Sequence, residues 1–317
     1  MDDTRQSSDF FICPSTKKYF QEWRASNNST LWDFIHGYIY GRWPYTYIGV
    51  AKGRHPLAKL LGPLFRIVSS LFPKTKPDNG RITFADGYHG KVMPLDRASR
   101  LVTINKPLAM PDLEQVIPYR RARALILKNP DQIAALQCPC RAARDTPCLP
   151  DDVCLIIGEP FAGFIAEHHP EKARRITPEE AVTILEQEEE RGHVHHAFFK
   201  DAMLDRFYAI CNCCACCCGA MSAHRNGTPM LASSGYVSVV DHDLCAGCST
   251  CEAFCQFGAI SMAEGQAEVD YEKCMGCGVC VSKCELGAAS LQRDPGKGEP
   301  LDILALQEGK TAPLTAA

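Results

Sequence analysis

At 317 residues, with 46% of them hydrophobic, the chain is long enough for two or three domains with packed cores. A formal net charge of -3 implies no special affinity for nucleic acid, and 19 cysteines grouped in a chain of this size argue against a secreted disulfide scaffold and for a reducing cytoplasm. The N-terminus, Met-Asp-Asp-Thr-Arg, has no basic region followed by an apolar stretch, and no run of 18 apolar residues offers a membrane span.

Residues 1–80 form an aromatic-rich arm in which Leu31 to Ile48 holds two tryptophans and four tyrosines. The apolar stretch from Leu57 to Phe72 follows, interrupted by Gly62 and Pro63 and flanked by Lys52, Arg54, Lys59 and Arg66. Such an arm either docks on a partner or on the protein's own core, or lies in a membrane interface; packing is the commoner use of leucines and aromatics. The arm therefore leaves peripheral membrane association open beside a cytoplasmic location.

A turn-forming linker, Pro73 to Gly80, leads into a cysteine-rich α/β middle domain, residues 81–230. Short β-like stretches are expected at Arg81–Phe84 and Leu101–Ile104, and a helix over Tyr119–Lys128 stopped by Asn129-Pro130. Gln132–Gln137 suits a buried strand or a short helix equally. Thr177-Pro-Glu-Glu180 is a capping box with proline at the first helical position, and its helix should run to Arg191 before Gly192 ends it. His193 to Phe199 then has the character of a strand, with His193 and His195 on one face and His196 on the other. The order helix, glycine, strand is also that of a winged helix, but Glu186, Glu188, Glu189 and Glu190 would repel phosphate. The histidines, His168 and His169 included, suit packing better than ligation, and Arg141 could bond cluster sulfur, bind an anion or pair with Asp145.

Ten cysteines lie in this middle region: Cys138, Cys140, Cys148, Cys154, then Cys211, Cys213, Cys214, Cys216, Cys217 and Cys218. Adjacent cysteines do not all reach one ion without strain, and free thiols at this density would be an oxidation hazard, so further metal–sulfur chemistry is expected. How the ten divide is not readable, and a zinc site or a redox disulfide is the alternative to another cluster. Cys13 stands apart as an ordinary free thiol.

The most specific signal comes last. Cys245, Cys248, Cys251 and Cys255 follow C-x-x-C-x-x-C-x-x-x-C spacing, and the pattern repeats 29 residues later in Cys274, Cys277, Cys280 and Cys284. Each iron of a 4Fe-4S cube has one vacant position that suits soft thiolate sulfur. The flanks repeat too: Asp241-His-Asp-Leu with Asp270-Tyr-Glu-Lys, and Gly258-Ala-Ile-Ser with Gly287-Ala-Ala-Ser, as after an internal duplication. Zinc usually pairs two C-x-x-C arms across a gap instead.

On these residues the segment from about 236 to 294 resembles bacterial two-cluster ferredoxins. The resemblance implies that the fourth cysteine of each run serves the other cluster, giving Cys245, Cys248, Cys251 and Cys284 to cluster one, and Cys274, Cys277, Cys280 and Cys255 to cluster two. The proline usual after the fourth cysteine is replaced by Gln256 and Glu285. Residues 119–290, with C-x-C-R, Asp152-Val-Cys154-Leu-Ile-Ile-Gly158 and C-N-C-C-x-C-C-C, resemble a family of larger ferredoxin-like iron–sulfur proteins of anaerobes and related bacteria. That implies cluster binding and names no substrate.

The expected architecture is α+β: the arm, the cysteine-rich α/β domain (81–230), a duplicated ferredoxin-like two-cluster domain (231–294) and a tail (295–317). The expected cofactors are two 4Fe-4S clusters and at least one further iron–sulfur cluster. The leading functional reading is single-electron transfer to or from a partner redox protein, with no nucleic acid. The second is an oxidoreductase with a catalytic cluster in the middle domain. No nucleotide or flavin fingerprint is present.

Overall fold

A computed structural model of the chain describes residues 13–26, 30–58 and 83–307. Residues 59–72 of the apolar arm, the 73–80 linker and the first two residues of the 81–84 stretch lie outside the described residues.

Its centre is a seven-stranded sheet, built from β1 (Tyr88–Met93), β4 (Ile133–Leu136), β5 (Cys154–Ile157), β6 (Ala173–Ile176), β7 (Val194–Lys200), β8 (Arg206–Cys213) and β9 (Leu231–Ala232). A small hairpin of β2 (Leu108–Met110) and β3 (Leu125–Leu127) stands beside it. The order across the large sheet is β6-β4-β5-β8-β7-β1-β9, antiparallel throughout except for the β1–β9 pair. Strands β4, β5 and β7 are buried at every residue, as expected of central strands covered on both faces. The Gln132–Gln137 ambiguity thus resolves as a strand.

Register sorts the side chains. Directly opposed residues share a face, so Leu136, Cys154, Cys211 and His196 form one cross-strand row, while His195 and Asn212 belong to the opposite face. The helices Pro14–Ala25, Leu31–Arg42, Pro44–Ala51 and Phe161–His168 pack together on one side, and Leu95–Val102 packs with Pro178–Glu190.

The N-terminal arm docks on this core through one face. The Tyr19 hydroxyl donates to the Ala202 carbonyl at 2.7 Å, and Tyr19 and Tyr38 meet the Phe164 ring edge-on. Thr30 and Asp33 cap the Leu31–Arg42 helix reciprocally. The other face leaves Trp32, Ile35, Ile39 and Trp43 exposed.

Three local expectations are corrected. Leu101 and Val102 end the Leu95–Val102 helix, where Ala98, Leu101 and Val102 share one buried face at three- and four-residue spacing. Tyr119–Lys128 is not a helix: Ala122 adopts φ +52°, and Leu125 and Leu127 are buried on β3 with period two, although Asn129 (φ +70°) does end the element. At Phe84 there is a helical turn, Phe84–Gly87, capped by Thr83. The Thr177 cap holds, its hydroxyl accepting from the Glu180 amide, whereas the Glu180 carboxylate pairs with Arg174. The helix runs Pro178–Glu190 and Gly192 turns the chain at φ +76°. Because β7 then enters the middle of a seven-stranded sheet, helix, glycine and strand here are not a winged helix.

Beyond β9 the chain forms two further pairs, β10 (Tyr236–Val240) with β13 (Ala289–Arg293) and β11 (Ile260–Ala263) with β12 (Gln266–Val269), carrying the short helices Thr250–Phe254 and Val279–Ser282. Met275 and Val279 pack into the main core, and Lys283 Nζ donates to the Glu190 carbonyl at 2.6 Å.

Candidate metal centres

In the C-terminal segment the backbone repeats as the sequence does. Positive φ occurs at Gly247 and Gly276, Ser249 and Gly278, and Gly258 and Gly287. At two of these only glycine fits: a Cβ on Gly247 would lie 2.1 Å from the Gly265 carbonyl oxygen, and one on Gly276 2.1 Å from that of Tyr236. The repeated flanks hold the two halves together, since the Asp241 amide donates to Ala288 and the Asp270 amide to Ala259.

Cys245, Cys248, Cys251 and Cys284 line one cavity of about 310 Å³, with Cys248 exposed. Cys274 and Cys280 are buried. Burial pushes the Cys280 thiol up to about 11 against a 3.1 Å hydrogen bond with Ser238, and the nearby Cys274 and Cys255 push it further up. Burial also raises the Cys277 thiol, and Cys280, Cys255 and Glu189 add to the rise. Backbone amides aim at sulfur: Ala259 N–H at Cys255 Sγ (3.2 Å) and Ser238 N–H at Cys274 Sγ (3.4 Å). Thiol-rich pockets with left-handed glycine turns and N–H···S bonds fit what a thiolate-ligated cluster requires.

The ten cysteines of the sheet region separate into two sets. Cys138, Cys140, Cys154, Cys211, Cys213 and Cys218 line a small, mostly apolar chamber of about 70 Å³. That is too small for an organic ligand, whose pockets hold roughly 300 Å³ or more. Cys154 and Cys211 face each other across β5 and β8 with sulfurs 4.0 Å apart. Cys138 and Cys140 come from the turn that opens the Pro139–Ala142 helix. The hydrogen bond to Cys138, then burial, push the Cys140 thiol well up, and Cys218 and burial do the same to Cys213. Cys218 goes the other way, to about 7, held down by Cys213 and by the backbone amides of Met221 and Ala220 at the start of the Gly219–Arg225 helix. Six thiols in such a space are stabilised when metal replaces their protons.

The second set is Cys148, Cys214, Cys216 and Cys217, whose sulfurs all lie within 4.8 Å of one another. Cys214 and Cys217 also reach the chamber wall.

Several residues that spacing arguments passed over complete the chamber. The arm helices roof it with Tyr40, Pro44 and Ile48. The Tyr40 and Tyr208 hydroxyls are 2.8 Å apart, Tyr45 donates to the Gln137 carbonyl at 3.0 Å, and Lys52 Nζ donates to the carbonyls of Cys217 (2.6 Å) and Cys140 (3.2 Å). The position of Lys52, 88 and 165 residues from its partners, leaves no local signal.

Arg141 is buried and does not pair with Asp145. Its guanidinium donates to Glu188 at 2.6 Å, to the Asn212 carbonyl at 3.1 Å and to Pro150, and contacts His193 at 3.1 Å. Asp145 lies instead 3.9 Å from Arg54. The histidines are spread over structural roles: His193 bonds Glu188 (2.7 Å), His195 bonds Asn212 (2.7 Å) and pairs with Glu189 (3.1 Å), His168 meets Thr16 and His169 the Gly41 carbonyl. His196 stands in the row of Cys211, and burial lowers it to about 3, so it is neutral.

Gln256, where a proline is usual, joins the two cysteine regions. Its Oε1 accepts from the Ala215 amide at 2.7 Å and its Nε2 donates to the Gly192 carbonyl at 2.9 Å.

Among the described residues no helix is long and apolar enough to cross a membrane. A comparison with curated proteins finds no match. Residues 238–285 match the family model of a 4Fe-4S dicluster domain, and this part of the chain is an iron–sulfur, ferredoxin-like segment.

Proposed function

We propose that the protein moves single electrons between a partner redox protein and a metal–sulfur centre in the six-cysteine chamber, through two 4Fe-4S clusters held by the duplicated C-terminal segment. Thiolate-held clusters supply one-electron storage, at potentials set by exposure and by hydrogen bonds to sulfur. The carrying observation is the gradation of the thiol sets from surface to interior. Cys248 is exposed, Cys274 and Cys280 are buried beside the main core, and the chamber lies under the arm helices. Gln256, next to Cys255, reaches the amide of Ala215, the neighbour of Cys214 on the chamber wall. Crossed ligation is supported by Cys284 lining the same cavity as Cys245, Cys248 and Cys251.

The partner contact belongs at the Cys248 end, where a cluster would lie closest to solvent. The exposed stripe of Trp32, Ile35, Ile39 and Trp43 offers a second surface for docking on a partner or a membrane interface. A reductase with its catalytic centre in the chamber is the second reading, favoured by six thiols where a cube needs four.

Iron and acid-labile sulfide per chain in anaerobically purified protein, with low-temperature magnetic resonance of the reduced state, test the proposal. About eight irons belong to the C-terminal segment, four per cube, and the full chain should exceed that. Cys284→Ala should damage the cluster of Cys245, Cys248 and Cys251, and selective loss at the Cys274 set would refute the crossing. Cyanide that perturbs the chamber signal without displacing iron would favour the reductase.

A further inference from the structure

The tight quartet, Cys148, Cys214, Cys216 and Cys217, differs in kind from the other thiol sets. Its sulfur–sulfur separations are 3.2 Å (Cys148–Cys216), 3.3 Å (Cys214–Cys216), 3.6 Å (Cys216–Cys217) and 3.7 Å for Cys148 to both Cys214 and Cys217. Four thiolates at about 2.3 Å from a single zinc in a tetrahedron lie about 3.8 Å from one another. The thiolates of a cube bind four separate irons and stand further apart. The chain contains its own comparison: among the described residues this quartet is the only group of three or more potential ligands with all donor atoms within 4.8 Å, so the C-terminal cysteine sets are wider.

We infer that these four cysteines form a mononuclear tetrathiolate site that takes one zinc ion, distinct from the iron–sulfur centres. The expectation that adjacent cysteines conflict is met in part by division: Cys213 and Cys218 turn into the chamber, whereas Cys214, Cys216 and Cys217 turn to Cys148, and Cys216 and Cys217 remain an adjacent pair in one site, with sulfurs 3.6 Å apart. All four positions are filled by protein sulfur, which leaves no open coordination for substrate and makes the site structural. One zinc with four thiolates carries a net charge of -2, and two cations stand beside the ligand turn. Lys52 donates to the Cys217 carbonyl at 2.6 Å and Arg225 to that of Ala215 at 2.7 Å. The ion would tie the loop carrying Cys148 to the turn after β8, at the chamber wall that Cys214 and Cys217 help to form.

The test is metal content of the full-length protein, purified without oxygen and with zinc and iron both supplied. The expected result is about one zinc per chain beside the iron. Cys148→Ser and Cys216→Ser should lose the zinc while iron and sulfide stay unchanged. Both residues are on the outer side of the site, Cys148 half-buried and Cys216 exposed. Should either variant fail to fold, zinc-edge X-ray absorption of the wild type decides, with four sulfurs at about 2.3 Å expected. Cobalt-grown protein should show the absorption of a tetrahedral cobalt tetrathiolate. Loss of about four irons with sulfide in Cys148→Ser would overturn the inference, because the quartet would then hold a cube. One sulfide-free iron in the wild type, or a zinc shell containing nitrogen or oxygen, would overturn it as well.

Discussion

Replacing Glu188 by glutamine removes the carboxylate that the buried Arg141 guanidinium contacts. Arg141 is 1% exposed and Glu188 is fully buried, so neither charge is solvated by water. Burial pushes the Glu188 carboxyl up, but hydrogen bonds from His193 and Arg141, with the guanidinium charge, outweigh it and hold the carboxyl below its ordinary value of 4.5. Breaking a buried pair on one side costs about 3–5 kcal/mol, because the remaining charge stays buried without its partner. Glu188→Gln should therefore lose about that much in urea unfolding, followed anaerobically by circular dichroism at pH 7.5. A charge-free Arg141→Met/Glu188→Leu variant should lose less than the single one. The sign with pH follows from the depressed carboxyl: its contribution is complete above about 4.5 and disappears as pH falls through the lower folded value. The difference between wild type and Glu188→Gln should thus be constant from pH 8 to about 5 and shrink below. A cost under about 1 kcal/mol, or a double variant costing the sum of both singles, would refute the reasoning.

Gln256→Ala leaves the Ala215 amide and the Gly192 carbonyl without their partner, and Gln256→Pro does the same. Each should lower stability by about 1–3 kcal/mol and slow reduction of the chamber centre relative to the C-terminal clusters in stopped-flow mixing with dithionite; unchanged kinetics and stability would remove Gln256 from the junction. Burial lowers Lys91 to about 7, with the Arg293 charge adding and Glu299 opposing. Since the unfolded value is 10.5, wild-type stability should rise between pH 7 and 10 by up to about 1.4 kcal/mol per pH unit. Lys91→Met should flatten that rise, and an equal slope in both proteins would count against it. In the arm, Tyr19→Ala should cost about 3–5 kcal/mol because Tyr19 is packed and bonded to Ala202, whereas Trp32→Ser should stay within about 0.5 kcal/mol because the ring is exposed. Equal costs in thermal unfolding would contradict the two-faced arm.

What could be read from the sequence was what local chemistry dictates. Eight cysteines at loop spacing, the Thr177 cap with Pro178, and the Val194–Lys200 strand all carry their signals within a few residues. Where neighbours in space are distant in sequence, the reading stopped. Cys148 meets the Cys214–Cys217 turn across 66 to 69 residues, and Cys154 meets Cys211 only because β5 pairs with β8. Leu101-Val102 resembled a strand because two residues do not separate period two from period 3.6; Ala98 one turn earlier decides it. Tyr119–Lys128 has helix-forming residues, but β3 buries Leu125 and Leu127 on its pairing with β2, and tertiary packing overrides propensity. Arg141 looked available for an anion only while its partner Glu188 was 47 residues away.

The chamber's roof sets an order of assembly. Residues 31–51 are synthesised well before Cys211–Cys218, yet they cover the space those cysteines line, so the centre proposed for the chamber would have to be inserted before the roof seats. The described contacts that hold it include Tyr45 to Gln137, Lys52 to Cys140 and Cys217, Tyr40 to Tyr208, His169 to the Gly41 carbonyl, Asp33 to Arg121, and Tyr38 packed on Phe164. Lifting two short helices against them is a local opening that leaves the seven-stranded sheet intact. Maturation can thus proceed on an otherwise folded protein, with the arm as the last part to close.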